Sequence, residues 1–334
     1  MVYIYKKAIG NSDYYYLRAS IRKKNKTITK DIAYLGNNLK DVRTKLFSLP
    51  RYSKEIRKAY RTINKFIEAN HYLQKIKDLK IKKNIYFNKD LLEDVESCRL
   101  HWNKAFQKLD NKTKDEIFKN FLVEFAFNTT SIEGNTITLK ETQKLLIDYL
   151  TPKNRTLREI YDLQNTEKVF FELLNNLNRE VDHELICSIH NNLLENIDTR
   201  KGYRIIDVKV LRMGFKSTPA PYVLVDMKLL IRWYNENKDK LHPLVLATVF
   251  HHKFEKIHPF MDGNGRTGRM LINYILMSKS HPPLIFQKKK RLEYLDELRK
   301  ADESSLTDFS SKFYKDLVGF SAKQLINSYW NIFL

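Results

Sequence analysis

One run of the chain, His258-Pro259-Phe260-Met261-Asp262-Gly263-Asn264-Gly265-Arg266-Thr267-Gly268-Arg269, gathers the residue types needed for chemistry on a phosphate ester. Gly263, Asn264 and Gly265 let a backbone turn sharply and approach a ligand closely. If a helix starts there, its first N–H groups form an anion site for phosphates. Arg266 and Arg269 are three residues apart, on one face of the first turn, where guanidinium forks can grip phosphate oxygens. Asp262 would repel such a ligand unless Mg²⁺ bridged carboxylate and phosphates. His258, just upstream, suits a general base for a hydroxyl nucleophile. Taken singly, each residue has an ordinary reading. A His before Pro caps a turn, Asp-Gly-Asn-Gly without a downstream Glu is a loop, and two spaced arginines are a solvated face. Their conjunction at one loop–helix junction points to nucleotidyl transfer.

Two helices must hold this loop. Upstream, Pro243 suits a first turn, and Leu244, Ala247, His251 and Phe254 recur along one face. Downstream, Leu271, Tyr274 and Ile275 continue a helical period. Most of the chain from about residue 89 to 334 reads as helix. The interruption at Gly202–Tyr222, with β-branched alternation and Ser217-Thr218-Pro219-Ala220-Pro221, predicts a hairpin between helices. Residues 1–36 read as a small antiparallel sheet of three strands, Val2–Tyr5, Tyr14–Ile21 and Ile28–Tyr34. Residues 39–85 return to a helical period through Ile56, Tyr60, Ile63 and Ile67, with Pro50 dividing two pieces. The expected architecture is mainly α. A basic α+β module spans 1–90, and a helical domain with an embedded β-hairpin and C-terminal helices spans 91–334.

Composition sets the limits. The 334 residues, 43% hydrophobic and 12% aromatic, can bury sizeable cores and exclude a disordered chain. Apolar runs are too short for a membrane span, and Met1–Lys7 lacks the apolar stretch of a signal peptide, so a cytoplasmic protein without a membrane partner is expected. Cys98 and Cys187 alone make neither a disulfide framework nor a zinc site. The net charge of +21 is uneven: residues 1–90 hold 23 Lys and Arg against 7 Asp and Glu, the remainder 37 against 32. That asymmetry fits an anionic partner for the N-terminal module, either nucleic acid or an acidic protein, although Lys-rich composition throughout the chain accounts for part of it. Tyr14, Tyr15 and Tyr16 could stack on bases, but neighbours on a strand face opposite ways, so at least one belongs to a core. There is no helix-turn-helix or RNP signature.

The 258–269 run matches in full the signature H-x-F-x-[D/E]-G-N-G-R-x-x-R. Over roughly residues 100–317 the chain therefore resembles the Fic (Fido-domain) family of protein adenylyltransferases. His242-Pro243 and Arg291–Asp296 extend the likeness on either side. The resemblance implies that His258 deprotonates a target hydroxyl and that Asp262 holds Mg²⁺. It makes Gly263, Asn264 and Gly265 an anion hole for the α- and β-phosphates of ATP, Arg266 a phosphate ligand and Arg269 the grip on the γ-phosphate. Thr267 and Gly268 fall in the same nucleotide-binding segment, and Phe260 is a buried packing residue. The implied reaction is attack on the α-phosphate by a Ser, Thr or Tyr hydroxyl, with AMP retained by the target and pyrophosphate released. The same site could instead run towards removal of AMP. A regulator that binds nucleic acid through residues 1–90 is a reading from a different class.

Thr129-Thr130-Ser131-Ile132-Glu133-Gly134-Asn135 resembles the family's inhibitory motif. Its position ahead of the signature implies the class with an N-terminal inhibitory helix, here near 120–133. In that class Glu133 pairs with Arg269 and holds ATP in an unproductive pose, since a carboxylate competes with the γ-phosphate for one guanidinium. Thr130 is a further candidate contact to the nucleotide. Read without the resemblance, Glu133 simply ends a helix that Gly134 caps. The segment of about Ile205–Tyr222 resembles the family's flap, where a protein substrate docks by adding a strand. Oligomerisation is left open by these features.

Overall fold

The computed structural model describes residues 1–10, 12–23, 26–208 and 215–334. It divides into two compact units, Met1–Ile81 and Lys82–Phe333.

In the first unit three strands, β1 (Val2–Ile9), β2 (Ser12–Lys23) and β3 (Lys26–Gly36), form an antiparallel sheet in the order β1-β2-β3. Each strand runs longer than its apolar alternation indicates, because ladder pairing continues through polar pairs such as Lys7 with Tyr14 and Arg22 with Thr27. Alternation puts Val2, Ile4, Tyr15, Leu17 and Leu35 on one buried face. Helices α1 (Leu39–Phe47), α2 (Ser53–Lys58) and α3 (Tyr60–Asp78) cover that face with Val42, Leu46, Ile63 and Ile67. Of the three adjacent tyrosines, Tyr15 enters this core while Tyr14 and Tyr16 turn the other way.

The second unit is helical: α4 (Lys89–Lys104), α5 (Asn111–Ile132), α6 (Leu139–Ile147), α7 (Leu157–Leu174), α8 (His183–Leu193), α9 (Val223–Asn237), α10 (Pro243–Ile257), α11 (Asn264–Ser278), α12 (Arg291–Ala301) and α13 (Ser311–Ile332). The expected hairpin over 205–222 falls in part on residues 209–214, outside the described residues. Its flanks, 205–208 and 215–219, carry no strand, and Ala220–Tyr222 is a 3-10 turn.

α10 is the axis of this unit. The sequence suggests a single apolar face, yet Leu244–Glu255 is buried on every side. Its polar residues tolerate burial because α12, α13 and the segment between them supply partners. The His251 ring meets the Tyr294 hydroxyl at 2.6 Å, and His252 lies 3.1 Å from the Tyr314 hydroxyl and 3.0 Å from Asp302. Lys253 Nζ donates to Ser304 Oγ at 3.0 Å and to the Asp308 carbonyl at 2.9 Å. Burial, with Lys256 nearby, lowers the Lys253 pKa to about 7. The N-terminal end of α10 is fixed by Pro243 and by His242, whose Nδ1 accepts the Leu244 N–H at 3.2 Å. No helix among the described residues is long and apolar enough to cross a membrane.

Candidate active site

The signature forms the turn between α10 and α11. α10 ends at His258, which takes a left-handed backbone conformation at φ 53. A histidine there carries local strain that its surroundings must hold. They do so through Arg204, which sequence reasoning missed. Its side chain is fully buried, and Nε donates to the His258 carbonyl at 2.8 Å. Its backbone N–H donates to the Pro259 carbonyl at 2.9 Å. Its other nitrogens reach the carbonyls of Ile206 and Thr218, so one guanidinium ties both arms of the 205–222 segment to the turn bearing His258. The Phe215 ring lies 6.3 Å from the His258 ring.

Beyond His258, Asn264 locks the loop. Its side chain accepts the Phe260 N–H and donates to the Phe260 carbonyl, both at 2.9 Å. Asn264 therefore offers an incoming anion its main-chain N–H, not its amide. Phe260 is fully buried, stacked on His190 with ring centroids 3.7 Å apart. Gly263, at φ 73, precedes α11 as its N-cap. The first helical bond runs from Thr267 N–H to the Gly263 carbonyl, so the N–H groups of Asn264, Gly265 and Arg266 head the helix without an intrahelical acceptor. This is an anion-binding end. Thr267 and Gly268 face inward. Thr267 is fully buried, and a Cβ on Gly268 would lie 2.7 Å from His251 Nδ1, so this glycine sets how closely α11 packs on α10.

The charged groups form two networks. In the first, Arg266, 4% exposed, pairs with Asp162 on α7 and reaches Asp262 at 3.4 Å, while Arg158 pairs with the other oxygen of Asp262. Burial pushes the Asp262 carboxyl up, but Arg266, Arg158 and the Gly263 N–H outweigh it and hold the pKa below the ordinary value. For Asp162 burial prevails over Arg266 and Arg158, and its pKa is raised. Asp162 is the second residue that the sequence reading missed, since nothing in its own segment indicates that Arg266 needs a buried partner.

In the second network Arg269 sits 2% exposed. Its Nε donates to Thr129 Oγ1 at 2.8 Å and its Nη2 to the Thr129 carbonyl at 2.9 Å. The same Nη2 meets Glu133 Oε1 at 2.7 Å. A Cβ on Gly265 would lie 2.2 Å from that carboxylate oxygen, so glycine is what lets Glu133 rest against the first turn of α11. Thr130 is placed differently: its hydroxyl donates to the Ala126 carbonyl at 2.8 Å, within its own helix, and Thr129 is the one that touches Arg269. The end of α5 is fixed on two sides. Arg291 Nε donates to the Ile132 carbonyl at 2.8 Å, and Asn135 Nδ2 to the Glu159 carbonyl at 2.9 Å.

Asp262 supplies the hard oxygen donor that Mg²⁺ prefers, at a half-exposed position beside the anion-binding end. Another group of ligand-type atoms, Glu96, His242 and His281, lies in the same unit. Here Glu96 Oε1 accepts from His242 Nε2–H at 2.9 Å and sits 3.7 Å from His281 Nε2. Its two imidazoles do not suit Mg²⁺, and His242 already uses both nitrogens, one as the α10 cap and one towards Glu96.

Residues 180–276 match the Fic/DOC family. It is similar to the protein adenylyltransferase fic-1 of Caenorhabditis elegans, 30% identical over 190 residues that cover 55% of this chain and 37% of that protein. It is also similar to the protein adenylyltransferase Fic of Culex quinquefasciatus, 32% identical over 224 residues, 62% of this chain and 44% of that protein. The chain thus spans less than half the length of these curated relatives. Among solved structures, a Fic domain-containing signaling protein from Bacteroides thetaiotaomicron matches with a TM-score of 0.65 at 25% identity, covering 70% of this chain and 94% of that one.

Proposed function

We propose that the protein is an adenylyltransferase that moves AMP from ATP to a hydroxyl of a protein substrate, and that Glu133 restrains it. The observation that carries this reading is the carboxylate of Glu133 seated between Arg269 and the first turn of α11, which marks that point as an anion site. A triphosphate laid along the same N-terminus would meet the N–H groups of Asn264, Gly265 and Arg266, with Arg269 beyond them. His258 accepts the proton of the target hydroxyl, and Arg204 keeps the His258 turn in position for it. With the hydroxyl oxygen bonded to the α-phosphorus, the bond to the pyrophosphate oxygen breaks, and pyrophosphate leaves. Asp262 would hold Mg²⁺, which would offset the charge of the phosphates when bound. To receive it, Asp262 would have to release its contact with the exposed Arg158. The flanks of the 205–222 segment, tied to the His258 turn by Arg204, are the proposed docking site for the target.

ATP labelled in the α-phosphate tests the reaction. Label should enter protein from α-labelled ATP and not from γ-labelled ATP. Incorporation from the γ-position would make the enzyme a kinase. Release of AMP from a modified target, with no incorporation from ATP, would reverse the direction.

A further inference from the structure

The first unit has a second sheet face that its own helices leave open. The core cluster draws on the side of Val2, Ile4, Tyr15, Leu17 and Leu35. On the opposite side, alternation and register bring together Tyr3 and Tyr5 of β1, Tyr14 and Tyr16 of β2, and Tyr34 of β3. Four of these are half-buried and Tyr34 is 49% exposed. They are mutually arranged: the Tyr34 ring lies 5.3 Å from Tyr16 and 6.4 Å from Tyr14. Cations are interleaved with them. The Arg18 guanidinium stacks 3.4 Å above the Tyr5 ring and is held there by Asp31 at 2.5 Å. Lys7 is the cross-strand partner of Tyr14, and Lys45 Nζ stands 5.3 Å from the Tyr34 ring. Over residues 1–81 the sequence has 20 Lys and Arg against 6 Asp and Glu.

We propose that this tyrosine face is a binding platform for single-stranded nucleic acid. Stacking needs flat rings spread over a rigid surface, and a sheet with side chains at alternate positions supplies them. Phosphates need cations among the rings, and Arg18, Lys7 and Lys45 are there. The other anionic partners fit less well. An acidic protein segment needs the cations but gives five tyrosines no role. A membrane surface calls for a run of aliphatic or tryptophan side chains, whereas this face carries tyrosines and cations with Ile9 at its margin. The pattern selects unpaired bases through their faces, so little sequence preference is expected.

Fluorescence anisotropy on the full chain tests the proposal, with labelled oligomers of about 12 nucleotides: oligo-U RNA, oligo-dT DNA and a DNA duplex. Single strands should bind more tightly than the duplex, and affinity should fall steeply as salt rises from about 50 to 200 mM. The RNA and DNA arms show whether the 2′-hydroxyl contributes. Tyr16→Ala with Tyr34→Ala should weaken single-strand binding at least about tenfold. Tyr16→Phe with Tyr34→Phe, which keeps the rings, should bind like the wild type. Duplex binding equal to or tighter than single-strand binding by the wild type would overturn the proposal without any variant. So would polyglutamate binding of equal strength that the alanine changes leave untouched, an outcome that points to an acidic protein.

Discussion

Arg269 has two neighbours of opposite character. On its inner side Thr129, 2% exposed, takes two hydrogen bonds from the guanidinium. On its outer side Glu133, with a side chain 44% exposed, takes one. Burial pushes the Arg269 pKa down, but Glu133, Tyr294 and Glu255 outweigh it, so the charge is secure. The inner contact builds the arginine into the fold, because a buried donor left without an acceptor is costly. The outer contact can be exchanged, because a half-exposed carboxylate returns to water at little cost. On the proposed function, a site assembled in this way would keep its catalytic parts permanently in place, with one replaceable anion as its restraint.

The built-in side should yield the largest effects. His258→Ala should lower AMP transfer by roughly 10²–10⁴-fold while ATP affinity stays near wild type, since the imidazole acts on the hydroxyl. Nucleotide titration beside label incorporation checks this, and retention of labelling would remove His258 as the base. Asp162→Ala leaves buried Arg266 with the longer contact to Asp262 in place of its close pair and should cost about 3 kcal/mol of stability. For a unit of this size that is a melting midpoint lower by roughly 6–12 °C. An unchanged midpoint would mean that Arg266 does not depend on Asp162.

Thr129 and Glu133 give the comparison its direct form. Thr129→Val should cost about 2 kcal/mol in a denaturant titration, because it removes one bond to a buried cation. Glu133→Gly should change stability by no more than about 0.5 kcal/mol, yet raise self-labelling roughly tenfold. Glu133→Asp, shorter but still charged, should raise it less. If Thr129→Val and Glu133→Gly destabilised equally, the outer contact would be as structural as the inner one.

A smaller effect comes from the scaffold. His252 faces Tyr314 on α13 and Asp302 after α12, with Lys253 and Lys256 on its own helix. Burial lowers its pKa to about 4, against the opposing pull of Asp302. Between pH 6.5 and 4 the unfolded chain therefore binds the proton that the folded chain refuses, and stability falls as pH falls. Comparing melting midpoints of wild type and His252→Gln at pH 6.5 and 5.5 should show about 1 kcal/mol of extra loss in the wild type. Parallel pH profiles would contradict the assignment.

The legible parts of the site share one property: they are contiguous. The loop from His258 to Arg269 carries its turn chemistry, arginine spacing and helix start in one stretch. Arg204, Asp162 and Thr129 act on that stretch from far along the chain, each through a contact that no local pattern announces. Periodicity likewise identifies α10 but understates its burial, because His252 and Lys253 read as a polar face until Tyr314 and Ser304 are brought against them. In the sheet, alternation shows that the three consecutive tyrosines must divide between faces. Which face takes Tyr15 is decided by the helices that cover it.

The central claim is tested most directly by intact-mass analysis of the purified protein after incubation with ATP and Mg²⁺, comparing wild type, Glu133→Gly, and Glu133→Gly with His258→Ala. The account predicts little change for the wild type, one or more added AMP groups for Glu133→Gly, and none for the double variant. Equal AMP addition to wild type and Glu133→Gly would contradict restraint by Glu133, and AMP addition to the double variant would contradict catalysis through His258.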